Sequence, residues 1–344
     1  MDRRNLLKTA LLTSLLPNFN MQLFSQQKFN FIKPNKLKEG DKVKIIAPST
    51  NVSCPDEIQN AIQVLDYLKL KYEFGKSFES NIGYKTNSTQ VRVDDIHQAF
   101  EDDTIKGIFC IRGGYGSGQI LNSLDYNLIR KHPKIFIGYS DITALHLAIN
   151  KFSGLVTFHG PVLLSSFSTF TITNFVKTIF NSEPVGILKN PNILSGVRAT
   201  YPIRTINGGI AEGYLIGGNL SIISSLMGTK FEIDTTDKIL FLEDVGEEPY
   251  KIDRMLNQLK LAGKLDTSKG IIFGKCAGCD INSSAIWDLS LGEVLNFYFK
   301  DLQIPVFYGL LIGHTSDQLT LPLGIKAKID ADNCQLEILE SAVI

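Results

Sequence analysis

The sequence predicts an α/β protein, with an N-terminal Rossmann-like parallel-sheet domain and a second, C-terminal α/β domain of swivelling β/α/β type. Two observations carry this. Short β-branched and aromatic runs, such as Ile135-Phe136-Ile137, alternate with stretches whose apolar residues recur at helical spacing, the pattern of parallel strands joined by crossover helices. At 344 residues the chain is also long enough for two domains, each with its own core.

In order, residues 43–49 read as a first strand ending in a loop, and 55–68 as a helix with Ile58, Ile62, Leu65 and Leu68 on one face. A strand near Tyr72 and a helix over 88–100 follow. The buried strand 107–111 ends in the glycine loop Arg112-Gly113-Gly114-Tyr115-Gly116-Ser117-Gly118. The strand Ile135-Phe136-Ile137 then runs through Gly138, Tyr139 and Ser140 into a helix bearing Ile142, Leu145 and Ile149. From 169 to 204 the pattern weakens. The expected division is therefore a leader over 1–35, a first domain over 36–170, a linker over 171–204 and a second domain over 205–344.

The second domain reads as a glycine turn into a helix at 217–226, a strand at 238–242 and a helix at 249–262 with Ile252, Met255, Leu256 and Leu259 on one face. Pro249 suits a first helical position. Strands at 270–273 and 306–312 flank a helix at 291–299, and 324–339 alternates in β fashion about a turn at 330–333.

Composition excludes several classes of function. Lys plus Arg and Asp plus Glu each number 35, so zero formal charge gives no general affinity for nucleic acid or an anionic membrane. The five cysteines imply no disulfide framework. Cys276-Ala277-Gly278-Cys279 has CxxC spacing but lacks the second pair or histidines of a zinc site, so the cysteines read as structural or incidental, and no metal or cofactor is expected. Arg3-Arg4-Asn5-Leu6-Leu7-Lys8 and the short apolar stretch behind it have the form of a twin-arginine export signal, which predicts a periplasmic protein. An ordinary N-terminal amphipathic helix and a cytoplasmic protein are the alternative. No other segment approaches the roughly 18 apolar residues of a membrane span.

Two readings of Ser140 follow from its position. Serine is a favoured helix N-cap; it is also a nucleophile well placed at a strand-to-helix turn, where free N–H groups and the helix dipole favour negative charge. A nucleophilic serine needs a base, and the base a carboxylate to orient it. Glu243 directly follows the strand 239–242, and His314 directly follows 310–313, both at sheet edges where sites form. Among the other histidines, His97 lies in a helix, His132 in a polar run and His146 on the helix after Ser140. His159 ends a strand and is the serious rival. Asp244 and Glu247 are the fallback carboxylates.

An oxyanion needs two N–H donors, which the backbones of Asp141 and Gly114 would supply. Glycines at 113, 114, 116 and 118 fit neither common phosphate-cradle pattern, and Gly138-Tyr139-Ser140-Asp141-Ile142 lacks the second glycine of a GxSxG elbow.

Arg112-Gly113-Gly114-Tyr115-Gly116, Gly138-Tyr139-Ser140-Asp141-Ile142-Thr143, Gly217-Gly218-Asn219-Leu220, Phe241-Leu242-Glu243-Asp244, Pro249-Tyr250-Lys251-Ile252-Asp253-Arg254 and Gly313-His314-Thr315 together resemble the LD-carboxypeptidase family of serine peptidases, which includes the microcin-immunity hydrolases. The resemblance runs from about Lys36 to the C-terminus. It implies a nucleophile domain followed by a domain that contributes Glu and His, and commonly a homodimer. It also implies Ser140 as nucleophile, His314 as general base, Glu243 as its orienting carboxylate, and metal-independent removal of terminal D-Ala from a murein tetrapeptide. Arg112 would either receive the substrate's terminal carboxylate or brace the loop.

Overall fold

Five short runs form the first sheet, and because helices cover both of its faces the inner strands are largely apolar on both sides, whereas the edge run 71–74 carries the exposed Lys71 and the half-buried Glu73. They are β1 (Lys42–Ile46), β2 (Lys71–Phe74), β3 (Ile105–Cys110), β4 (Ile135–Gly138) and β5 (Thr157–His159), mutually parallel in the order β2-β1-β3-β4-β5. The helices α1 (Pro55–Tyr67), α2 (Thr89–Glu101), α3 (Tyr126–Lys131) and α4 (Thr143–Ser153) make the crossovers. Ser88 caps α2 by accepting from the Val91 N–H. The structure is a computed structural model that describes residues 31–52, 54–79, 85–192, 194–195, 198–199, 201–279 and 289–344. The twin-arginine stretch lies outside the described residues.

Two boundaries differ from expectation. The body begins before Lys36: Ile32 forms a parallel bridge to Leu155, its N–H donating to the Gly154 carbonyl at 2.8 Å. The segment read as a linker contains α5 (Thr169–Ile179), which buries Phe175 and Ile179, and the strand β6 (Gly186–Leu188). Its many Thr, Ile, Val and Phe residues are modest helix formers and hide the periodicity. Further on, β7 (Leu194–Ser195) and β8 (Arg198–Ala199) make a small antiparallel pair.

The second sheet contains β9 (Arg204–Asn207), β10 (Ile210–Asn219), β11 (Lys238–Glu243), β12 (Gly270–Gly274) and β13 (Val306–Leu310). Strands β10 to β13 are parallel; β9 pairs antiparallel with β13. Helices α6 (Leu220–Ser225), α7 (Pro249–Leu261) and α8 (Leu291–Phe299) follow β10, β11 and β12. After β13 the chain crosses back: β14 (Leu321–Leu323) pairs antiparallel with β5 of the first sheet, and then β15 (Lys326–Asp330) and β16 (Gln335–Ile338) extend the second beside β10. The tail therefore forms the expected hairpin. The result is a mixed α/β architecture of a parallel sheet and a second, larger curled sheet.

The sheets meet where β10 passes the start of α4. Gly217 and Gly218 belong to the strand rather than to a turn, and both carry positive φ. A Cβ on Gly217 would lie 1.9 Å from the Phe241 carbonyl oxygen, and one on Gly218 would lie 2.5 Å from the Thr143 side chain. This closeness lets the Asn219 N–H donate to Thr143 Oγ1 at 3.0 Å. Gly217→Ala is expected to lower unfolding stability by about 2 kcal/mol or more, because backbone rather than a mobile side chain must give way. Urea denaturation checks this, and an unchanged midpoint would contradict it.

Candidate active site

Four strand ends converge on Ser140. The chain leaves β4 through Gly138, where a Cβ would press on Ile142 at 3.0 Å, and reaches Ser140 at φ 66°, a left-handed conformation uncommon outside glycine. His146 on α4 holds the strand end by donating from Nε2 to the Gly138 carbonyl at 2.8 Å. Burial pulls its pKa down to about 4, so it works as a neutral donor. The capping reading of Ser140 is not realised: the residue opens a 3₁₀ turn (Ser140–Ile142), and Ile142 occupies the N-cap of α4 without a side-chain bond.

The Ser140 hydroxyl instead lies 3.0 Å from His314 Nε2, and His314 Nδ1 lies 2.8 Å from Glu243 Oε2. Ionised Glu243 can only accept, so Nδ1–H donates and Nε2 is left to accept the serine proton. Glu243 is the last residue of β11 and is completely buried. Its approach to the loop after β13 requires Gly313, at φ 80°, where a Cβ would lie 2.0 Å from Oε2. The Tyr139 ring packs edge-on against His314 at 4.8 Å. Burial lowers the His314 pKa, but the hydrogen bond and charge of Glu243, with the charge of Asp244, outweigh it, and the net shift is upward.

The rival base does not reach the serine. His159 is fully buried, packed against Tyr139 and Phe241, and neither ring nitrogen has a hydrogen-bond partner among the described residues. Burial and the nearby His146 and His314 push its pKa well below the usual imidazole value. The fallback carboxylates are also engaged elsewhere. Asp244 accepts from Asn219 Nδ2 and from the Ser221 N–H and hydroxyl, holding the β10–α6 junction, while Glu247 faces Lys251 at 3.6 Å.

Of the expected oxyanion donors, Asp141 follows Ser140 directly and Gly114 follows Gly113, which abuts the serine: a Cβ on Gly113 would lie 2.8 Å from Ser140 Cβ. Arg112 is half-buried at the head of this loop, and its guanidinium makes no hydrogen bond or ion pair among the described residues. Sequence reasoning missed the steric roles of Gly113 and Gly313 and the carboxylate of Asp141. Position beside the candidate residues was the available signal for all three. It also missed that Cys276 and Cys279, at the end of β12, are joined as a disulfide. Their CxxC spacing held that signal. Among the described residues no group of three or more His, Cys, Asp or Glu is placed to hold a metal ion.

Two family models account for most of the chain. The LD-carboxypeptidase N-terminal domain matches residues 43–160 and the LD-carboxypeptidase C-terminal domain matches 212–329. The chain belongs to the LD-carboxypeptidase family and is a peptidase. It is 41% identical over 301 residues to a probable murein peptide carboxypeptidase of Bacillus subtilis, covering 87% of this chain and 91% of the relative. The microcin C7 self immunity protein MccF superposes with a TM-score of 0.82 at 28% identity, over 91% of this chain and all of that one. The muramoyltetrapeptide carboxypeptidase of Oxalobacter formigenes gives 0.74 at 29% identity, over 86% of this chain and 97% of that one. The α/β fold and the family resemblance read from the motifs are both borne out.

Titration of His314 by NMR is expected to give a midpoint above the usual 6.5. Glu243→Gln lowers that midpoint by removing the charge that raises it, and Gly313→Ala lowers it by displacing the carboxylate. Midpoints equal to wild type in both variants would contradict the pairing.

Proposed function

We propose that this enzyme is a serine LD-carboxypeptidase that removes the terminal D-Ala of a murein tetrapeptide without a metal, with Ser140, His314 and Glu243 as its catalytic residues. The observation that carries the reading is the continuous chain Ser140 Oγ, His314 Nε2, His314 Nδ1, Glu243 Oε2, with links of 3.0 and 2.8 Å. His314 takes the proton of Ser140 as Oγ attacks the carbonyl that precedes D-Ala. Glu243 keeps the imidazole in the tautomer that can accept and stabilises the imidazolium that forms. The N–H groups of Gly114 and Asp141 receive the oxyanion. Protonated His314 then delivers the proton to the leaving amine, and water, deprotonated by the same imidazole, hydrolyses the acyl-enzyme. Arg112, whose guanidinium makes no hydrogen bond or ion pair among the described residues, receives the peptide's terminal carboxylate. The name of the B. subtilis relative supports the substrate class.

A second reading, hydrolysis of an amide or acyl-adenylate-type conjugate by the same residues, draws support from the higher TM-score with MccF.

Wild-type protein incubated with murein tetrapeptide and EDTA is expected to release one alanine by mass spectrometry, and Ser140→Ala none while remaining folded. Equal turnover by both would refute the serine role; no release by wild type would favour the conjugate. The base must be neutral to act, so kcat/KM falls as pH drops through the raised His314 pKa, and Glu243→Gln lowers the rate by about a thousandfold or more.

Export by the twin-arginine-like segment and assembly as a homodimer belong to the same proposal. The Cys276–Cys279 disulfide supports export, since such bonds persist in oxidising compartments. Replacing Arg3 and Arg4 with Lys is expected to keep the protein in the cytoplasmic fraction, and light scattering to give the mass of two chains. Unimpaired export or a one-chain mass would contradict the respective point.

A further inference from the structure

The two N–H groups assigned to the oxyanion sit on different loops, and the sheet does not fix their separation. Pairing of β3 with β4 ends at Phe109 and Ile137, so the chain from Arg112 to Ser117 and the chain from Gly138 to Asp141 leave the ladder independently. They are rejoined by two side chains, those of Asp141 and Ser117. Asp141, only 5% exposed, accepts on Oδ2 from the Ser117 N–H at 2.8 Å and from the Ser49 hydroxyl, while the Ser117 hydroxyl donates to the Asp141 carbonyl. Ser49 and Ser117 are both fully buried.

A second tie runs beneath the first. Arg92 of α2, 1% exposed, donates from one terminal nitrogen to the Pro48 carbonyl at 2.9 Å and the Gly116 carbonyl at 2.8 Å. Thr50 Oγ1 accepts from the Tyr115 N–H at 3.1 Å. The chain after β1 is thus stitched to the glycine loop on both sides of Ser49, and through Ser49 to Asp141. Removing a fully buried hydroxyl from such a network loosens the two loops while His314 and Glu243 keep their own contact.

We propose that Ser117 and Ser49 are positioning residues: acting through Asp141, they set the distance between the Gly114 and Asp141 N–H groups and hold Ser140 in its left-handed conformation. This rests on the reading of Ser140 as nucleophile. Loss of one oxyanion donor costs roughly 100 to 1000-fold in rate. Loosening the pair costs less, and the expected fall in kcat for Ser117→Ala is about 10 to 100-fold, with KM within about threefold of wild type. Ser49→Ala, which like Ser117→Ala removes one hydroxyl hydrogen bond to Asp141, gives a fall of the same kind.

The test combines steady-state kinetics with labelling by a fluorophosphonate, whose tetrahedral adduct on a serine needs the same two donors. Both variants should label more slowly in proportion to their loss of kcat, while the acidic limb of kcat/KM keeps its wild-type midpoint, because His314 and Glu243 are untouched. Melting curves confirm folding, and Ser49→Ala carries the test where Ser117→Ala does not fold. Wild-type labelling rates in the folded variants, an effect on KM alone, or a shifted pH limb would overturn the proposal. A wild-type protein inert to the probe would overturn the nucleophile reading itself, and this proposal with it.

Discussion

The candidate site exists because two backbones come closer than side chains would allow. Ser140 is delivered by the first sheet, Glu243 and His314 by the second, and nothing in either sheet alone brings them within hydrogen-bond reach. Gly217 and Gly218 let β10 lie against Phe241 on one side and Thr143, the first residue of the nucleophile helix, on the other. Crossing of the chain to form β14 beside β5, on either side of which lie the His314 loop and β15, adds a second tie between the sheets. With both ties in place the Ser140 to His314 distance is set by backbone rather than by flexible side chains, as a preorganised site requires.

Burial then sets the electrostatics. A carboxylate with no exposed surface is costly unless it is paired, and Glu243 is paired with His314 at 2.8 Å. The same bond fixes the tautomer and overcomes the desolvation that would otherwise lower the His314 pKa. His146 and His159 sit close by under the same burial without such a partner, and both are pushed toward the neutral form. Three imidazoles within one cluster thus differ in basicity because one of them faces a carboxylate.

Much of this was legible in the sequence. Parallel strands buried on both faces announce themselves as apolar runs, and residues directly after such runs fall at the sheet edge; those two facts located Ser140, Glu243 and His314 without any contact information. The rest depends on contacts between residues far apart in the chain. His159 ends β5 and His314 follows β13, so both fall at sheet edges and only the packing separates them. The Asp141 clamp joins Ser49, Ser117 and Asp141 from three strand ends, so no local pattern reveals it. Thr, Ile and Val obscure the helical periodicity of α5, and a glycine pair usually marks a turn, which hides the strand at Gly217-Gly218.

The measurement that bears most directly on the central claim is acid-quenched intact-mass analysis of the enzyme within the first turnovers on murein tetrapeptide, followed by peptide mapping. The account predicts a transient adduct with the mass of the tripeptide acyl group, mapped to Ser140. Product release with no adduct at any quench time, or an adduct on another residue, would contradict it.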